Sequence, residues 1–194
     1  MIPEFIEFCK QLFPSIDPYT KEQAKEAMRQ FEGLEEPVLT RANNNSDLLQ
    51  GDIFSEIPFY YVDDDGELSI IFRKAQLLSN TCDATRDEHL LFAALHPLED
   101  LENNQSMRAN IVRNKRYSAF YLPDRILQNE YIDFELINTM SRTTFNKLLE
   151  EQKVHKIASL TLVGYYMFIC KLTVFFMRPE DEETNNGRYN PCLQ

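Results

Sequence analysis

The chain has 194 residues, which suits one domain with additions, and its 43% hydrophobic residues include 14 Phe, enough for a substantial core. Its formal net charge of −11 disfavours a dedicated nucleic-acid-binding protein, because clustered Lys and Arg hold a phosphate backbone. The four cysteines lie far apart without paired spacing, so the sequence predicts no zinc site, no cofactor and no disulfide framework. The N-terminus lacks the basic start of a signal peptide, and we expect a cytoplasmic protein with reduced thiols.

The first 45 residues are predicted to form a helical extension. Apolar residues recur at helical spacing over residues 3–13 and again over about 20–34, where Thr20 and Gln23 suit a capping box. The Asn-rich stretch at residues 42–47 is predicted to link this extension to the next domain.

From residue 48 the pattern changes to short strands. We predict a strand over residues 51–62, bent at Pro58, and a hairpin turn at residues 63–66, because Asp-Gly accepts the positive φ angles that such turns require. The apolar run Ile70–Phe72 predicts a buried strand on the return path. Strands are expected in this part of the chain at residues 67–73, 75–79 and 90–95, with a polar turn at 83–88.

The second half of the chain mixes strands and helices. Residues 98–113 are predicted to be a loop or a marginal helix. Apolar and acidic residues alternate over residues 131–140, which is typical of a half-buried strand, and 117–122 is a further predicted strand. Ser141 is the predicted N-cap of a helix that runs to about residue 153.

The apolar run Ile157–Met177 is predicted to be the last and longest helix. It is about long enough to cross a bilayer, but Lys171 interrupts it, and a charge at membrane depth is costly. We therefore predict a soluble core helix, with Lys171 at its edge or emerging past the sheet, and no membrane partner. The tail at residues 179–194 is acidic and predicted to be disordered.

Helices, about six short strands and then helices predict an α+β fold, a small and strongly bent antiparallel sheet or barrel flanked by helices. The predicted domains are a helical extension (residues 1–45), a barrel domain with a closing helix (46–178) and the tail (179–194).

Several groups of polar residues are candidate sites. Cys82 with His96 suggests a Cys/His nucleophile, but the spacing does not establish contact, and a half-buried strand-end cysteine is favoured. Arg73 and Lys74 either hold a phosphate or form a solvated strand end paired with acidic neighbours. A basic and aromatic region can stack bases and hold phosphates, or bind an acidic protein. It comprises Arg108, Arg113, Lys115, Arg116 and Arg125, interleaved with Tyr117, Phe120 and Tyr121.

The order of these features resembles the MazF/PemK-like toxin family, whose fold is an SH3-like barrel ending in a helix. Gly51-Asp52-Ile53 resembles the opening of a strand in that family, and Arg73–Ser79 resembles the apolar strand that follows it. Leu91–Pro97 and Ile132–Arg142 resemble the later strands and the start of the helix. The resemblance covers roughly residues 48–177.

The resemblance implies a ribosome-independent endoribonuclease that cuts single-stranded RNA, usually a dimer inhibited by an antitoxin. It makes Arg73 the catalytic residue, which would stabilise phosphate charge beside a hydroxyl or an acid. Three features depart from the family: Lys74 replaces a Pro, the Thr expected after Leu91–Pro97 is absent, and the predicted N-terminal helical region is extra to the minimal toxin.

These departures and the acidic balance favour a protein-binding regulatory component of a bacterial or phage-related stress or defence system. The alternative is a working endoribonuclease. A protein partner, antitoxin-like or regulatory, is expected, a homodimer is allowed, and RNA is disfavoured by the net charge. The candidate binding residues are Lys74, Ser79, Thr81, Cys82, Asp83, Arg113, Lys115, Arg116 and Tyr117.

Overall fold

The computed structural model describes residues 38–42, 47–123, 125–127, 129–177 and 187. The predicted helices at 3–13 and 20–34, most of the Asn-rich link and nearly all of the tail lie outside these residues. The predictions for them, and the domain boundaries that depend on them, stay predictions.

An antiparallel sheet organises the described residues, with its seven strands in the order β1-β7-β2-β3-β4-β6-β5. The strands are β1 (Thr40–Arg41), β2 (Ile53–Val62), β3 (Leu68–Leu77), β4 (His89–Pro97), β5 (Ala119–Tyr121), β6 (Glu130–Ser141) and β7 (Lys156–Leu160). The helices are α1 (Thr81–Ala84), α2 (Gln105–Val112), α3 (Arg142–Glu150) and α4 (Leu162–Met177), with a 3-10 turn at Leu98–Leu101. The predicted α+β class and antiparallel sheet are confirmed.

The predicted barrel is not found among the described residues, where the sheet stays open because its end strands β1 and β5 do not pair with each other. The Asn138 side chain of β6 nevertheless donates a hydrogen bond to the Tyr60 carbonyl of β2 at 3.3 Å, although β3 and β4 separate these strands in the sheet. An irregularity between Phe54 and Ile57 bends β2. The bend therefore begins before the predicted site at Pro58.

Two local predictions in the first half of the sheet need correction. Residues 67–79 were predicted as two strands, yet Leu68–Leu77 is one strand, because its pairing with β2 continues past Lys74 to Gln76. The predicted polar turn at 83–88 is preceded by the short helix α1, which Asn80 caps by accepting a hydrogen bond from the Cys82 N–H.

Side-chain caps mark the starts of two helices in the second half of the chain. Asn104 caps α2 by accepting from the Met107 N–H, so the helical alternative for residues 98–113 is the correct one. Ser141 accepts from the Thr144 N–H at 3.1 Å and caps α3, as predicted.

The helix predicted over residues 157–177 was wrong at its start, because Lys156–Leu160 is strand β7, between β1 and β2. Thr161 then caps the shorter helix α4 by accepting from the Gly164 N–H. Gly164 is required by packing, since a Cβ there would overlap the Leu39 carbonyl oxygen. No helix among the described residues is long and apolar enough to cross a membrane.

The core lies on both faces of the sheet. On one face α4 packs over Phe120, Ile132 and Phe134, with Phe168 of α4 between the Phe rings. On the other face α3 contributes Phe145 to a cluster of three rings, whose centroids lie 5.1 to 6.1 Å apart. The other two rings of that cluster belong to Phe54 and Phe92.

The prediction that Lys171 lies at the edge of the last helix was wrong, because this residue is buried with 2% of its surface exposed. Its ammonium group donates to the carbonyl oxygens of Asn114 and Arg116, at 2.8 and 2.6 Å. A buried ammonium is stable only when such acceptors replace water. Lys171 thus ties α4 to the loop before β5.

Candidate functional site

The Gly-Asp unit that opens β2 is a structural centre. Gly51 has a φ of +91°, and a Cβ there would overlap the Leu160 side chain. Asp52 is fully buried and accepts hydrogen bonds from the Leu49 N–H at 2.8 Å and the Ser159 hydroxyl at 2.6 Å. Its carboxylate also pairs with the Lys156 ammonium at 2.7 Å. This network joins β2 to β7 and leaves Asp52 no surface for a ligand.

Arg73 belongs to a row of polar side chains that crosses β3, β4 and β6. Ala75 of β3 pairs with Ala94 of the antiparallel strand β4. Arg73 lies two residues before Ala75 and His96 two residues after Ala94, so the two side chains project from the same face of the sheet. His96 in turn pairs with Tyr131 of β6, and their rings stack with centroids 5.8 Å apart.

Asp133 completes this cluster, since its carboxylate oxygen Oδ2 lies 3.9 Å from His96 Nε2. Burial lowers the pKa of His96 below 6.5, the nearby Asp133 opposes that shift, and the charge of Arg73 adds to it. Burial likewise raises the pKa of Asp133 above 3.8, against a hydrogen bond from the Glu135 N–H. The imidazole is therefore neutral at pH 7.

Arg73 and Lys74 lie in the middle of β3, so the prediction that they form a solvated strand end was wrong. Lys74 is half-buried and pairs with Glu130 at 2.8 Å, so the predicted pairing with an acidic neighbour is found. Arg73 has no hydrogen-bond partner for its side chain among the described residues, and its buried Nε is unsatisfied. Of the two, only Arg73 is free to hold an anion, and neutral His96 beside it is able to accept a proton.

The predicted site residues after β3 are mostly structural. Ser79 accepts from the Leu91 N–H at 2.9 Å, and Thr81 accepts from the Gln50 N–H at 3.0 Å. Cys82 is exposed and belongs to helix α1, so the prediction of a half-buried strand-end cysteine was wrong. Asp83 is exposed and 3.5 Å from Arg86. No contact between Cys82 and His96 is found among the described residues.

The predicted basic and aromatic region is divided among three elements: Arg108 lies in α2, Phe120 and Tyr121 lie in β5, where Phe120 is buried in the core, and the residues between them form the loop that Lys171 holds. Arg116 donates to the Ser118 hydroxyl and to the Glu135 carboxylate, both at 2.9 Å, so its charge is neutralised. Arg113, Lys115 and Tyr117 are exposed. Clefts of about 490 and 320 Å³ flank Arg116, and a third of about 460 Å³ lies between Gln50, Thr81 and Tyr165.

The hairpin of β2 and β3 exposes an apolar face that the sequence did not indicate. Directly opposed residues share a face of a sheet, and three such pairs line this one. The prediction of a buried strand at Ile70–Phe72 was therefore wrong for its first and last residues. The apolar hairpin face comprises Pro58, which is half-buried, and the exposed side chains Tyr60 (48%), Val62 (67%), Leu68 (68%), Ile70 (51%) and Phe72 (59%).

The opposite face of the hairpin is packed at Phe59, which is fully buried, and at Ile71, which contacts the cluster around Phe145, whereas Tyr61 near the turn is exposed. The hairpin is thus anchored on this face by the pair Phe59 and Ile71. No protein-family model matches the chain, and no curated protein matches it either.

Proposed function

We propose that the chain is a diverged MazF/PemK-like domain that acts as a protein-binding regulatory component of a bacterial or phage-related stress or defence system. The apolar hairpin face carries this proposal. Its five exposed side chains leave roughly 400–500 Å² of apolar surface in contact with water. The largest apolar patch on a typical soluble monomer is about 300–600 Å² and is often functional, so a patch of this size is a candidate interaction site.

The position of the hairpin in the sheet supports the same proposal. Residues Ile57–Val62 of β2 pair with β3 alone, and the ladder between β3 and β4 covers only Ala75–Leu77. The outer half of the hairpin is therefore a two-stranded ribbon, which is marginally stable in water without further packing. A bound protein would cover the apolar face and stabilise the ribbon.

A pull-down from the native host with the tagged full chain tests this function. The test variant carries Ile70→Ser and Phe72→Ser, and the matched control carries Leu162→Ser, an exposed leucine at the start of α4. We expect a specific protein partner that the control retains and the hairpin variant loses. Recovery of no specific partner, or of the same proteins with both variants, would contradict the proposal.

The endoribonuclease is a second candidate, and the contact of His96 with Asp133 beside Arg73 favours it. The resemblance requires a proton-transfer group next to Arg73, and the sequence suggested none. Neutral His96 would take the proton of a ribose 2′-hydroxyl as its oxygen attacks phosphorus, while Arg73 would stabilise the charge on the phosphate oxygens. The 5′-oxygen of the next nucleotide would leave and take a proton from water.

Gel analysis of a single-stranded RNA pool tests this candidate directly. Cleavage that is lost in Arg73→Ala and in His96→Gln, and kept in Arg86→Ala, would establish the nuclease. Arg86 is the matched control because it is an exposed arginine outside the cluster and outside the candidate binding residues. The absence of cleavage by the unmodified chain would remove this candidate and leave the binding function untouched.

A further inference from the structure

We infer that the apolar hairpin face receives a basic, extended segment of another protein, which adds as a strand to the free edge of β3. The inference rests on the proposed binding function and names the chemistry of the partner. The edge is available because β3 has no neighbouring strand from Leu68 to Phe72 among the described residues. The corresponding edge of β2 is partly occupied, since Asn138 donates to the Tyr60 carbonyl.

The charge beside the apolar hairpin face is negative. Asp64, Asp65 and Glu67 in the turn are exposed, and none of them has a side-chain partner among the described residues. Asp63 is engaged within the turn, where it accepts from the N–H groups of Asp65 and Glu67 and from the Ser69 hydroxyl. Three unpaired carboxylates therefore border the apolar side chains.

The negative charge of the turn favours some possible occupants of the apolar hairpin face over others. A second copy would bring an identical acidic turn and a further net charge of −11. Residues 1–37 carry eight acidic and four basic side chains, so the N-terminal segment of the chain is also poorly matched. A partner with Lys or Arg near the turn gains attraction where those occupants meet repulsion.

The strand geometry sets the spacing of the partner. Side chains of an added strand alternate between the two faces of the sheet, so every second residue would extend the row Leu68, Ile70 and Phe72. The backbone groups of β3 would supply hydrogen bonds, and the apolar row would supply specificity. The segment is expected to carry apolar residues at alternate positions, with Lys or Arg at the end nearest Gly66.

Peptide display tests the inference with the full chain as bait and a random library of twelve-residue peptides as probe. One variant carries Asp64→Lys, Asp65→Lys and Glu67→Lys, which reverse the charge of the exposed turn. The second carries Ile70→Ser and Phe72→Ser. Individual peptides from the selection are then measured by fluorescence anisotropy.

We expect the unmodified chain to select peptides with alternating apolar residues and basic ends. Such peptides should bind about tenfold more weakly to the charge-reversed turn and lose measurable binding to the Ser variant. Peptides that bind more weakly to the Ser variant but equally well to the charge-reversed variant would refute a basic partner and leave the proposed binding function intact. Selection of no peptide, or of peptides that ignore both variants, would overturn the inference. So would self-association in sedimentation experiments that the Ser variant abolishes, because the occupant is then a second copy.

Discussion

Replacing Asp52 with Ala is expected to remove a large part of the stability of the fold. The carboxylate is fully buried and pairs with the Lys156 ammonium, whose side chain is 10% exposed. Removing one partner of a buried pair typically costs about 3–5 kcal/mol, since the other charge stays buried without compensation. A domain of ordinary stability has about 5–15 kcal/mol in total, so the folded population should fall sharply.

The double variant with Asp52→Ala and Lys156→Met separates pairing from packing. If the two side chains act as a pair, the double variant should be more stable than the sum of the single variants predicts, with a coupling of about 2 kcal/mol. Lys153→Met is the matched control, because Lys153 is exposed and pairs with Glu151 at the surface. Its effect should stay within about 0.5 kcal/mol.

Urea unfolding of the full chain, followed by circular dichroism at 222 nm, measures these differences from the transition midpoints and slopes. Strict additivity of the two single variants in the double variant would refute the pairing argument. A loss in Asp52→Ala no larger than that of the Lys153→Met control would show that the network does not hold β2 to β7.

Three further changes test the fold and the polar cluster. Gly164→Ala should destabilise the chain by about 1–3 kcal/mol in urea unfolding, because its Cβ would overlap the Leu39 carbonyl oxygen and push α4 outwards. Lys171→Met should remove the ammonium donor from the Asn114 and Arg116 carbonyls, cost about 1–3 kcal/mol, and speed hydrogen exchange in the loop around Arg116. Because the pKa of His96 is lowered in the folded chain, its imidazole becomes protonated at a higher pH in the unfolded chain than in the folded chain. The free energy of unfolding should therefore decline as pH falls through 6.5 towards the folded pKa. His96→Gln should flatten that decline in unfolding midpoints measured between pH 7.5 and 5.5.

Signals that act over a few residues predicted their elements well. The Asp-Gly turn, the alternation along β6 and the Ser141 cap each depend on neighbours in the chain, and the structure contains all three. The helix predicted over residues 157–177 is present from Leu162, but its first residues form β7, because an apolar stretch as short as these residues has no period that separates a strand from a helix. Long-range contacts decide its first residues, where Lys156 and Ser159 pair with Asp52.

The polar cluster was predicted only in part for the same reason. Arg73 was identified from a short motif, whereas His96 and Asp133 join it through the registers of β3, β4 and β6, which no local pattern specifies. His96 was instead considered with Cys82, which lies fourteen residues earlier in the sequence. Alternation within β4, with the pairing of β4 and β6 known, would have placed His96 beside Tyr131.

The protein departs from the usual placement of side chains in two ways: it buries charged groups, and it exposes apolar ones. The two departures have different explanations. Asp52 and Lys171 are inside, but hydrogen bonds and an ion pair satisfy both, so the fold accounts for them. Ile70 and Phe72 are outside, and nothing among the described residues covers them. The part of the chain that the structure describes does not use this apolar surface, which costs free energy in water, and the proposed protein partner would account for it. The hairpin face, rather than the Gly51-Asp52-Ile53 unit that the family resemblance included, is therefore where the proposed function should be tested first.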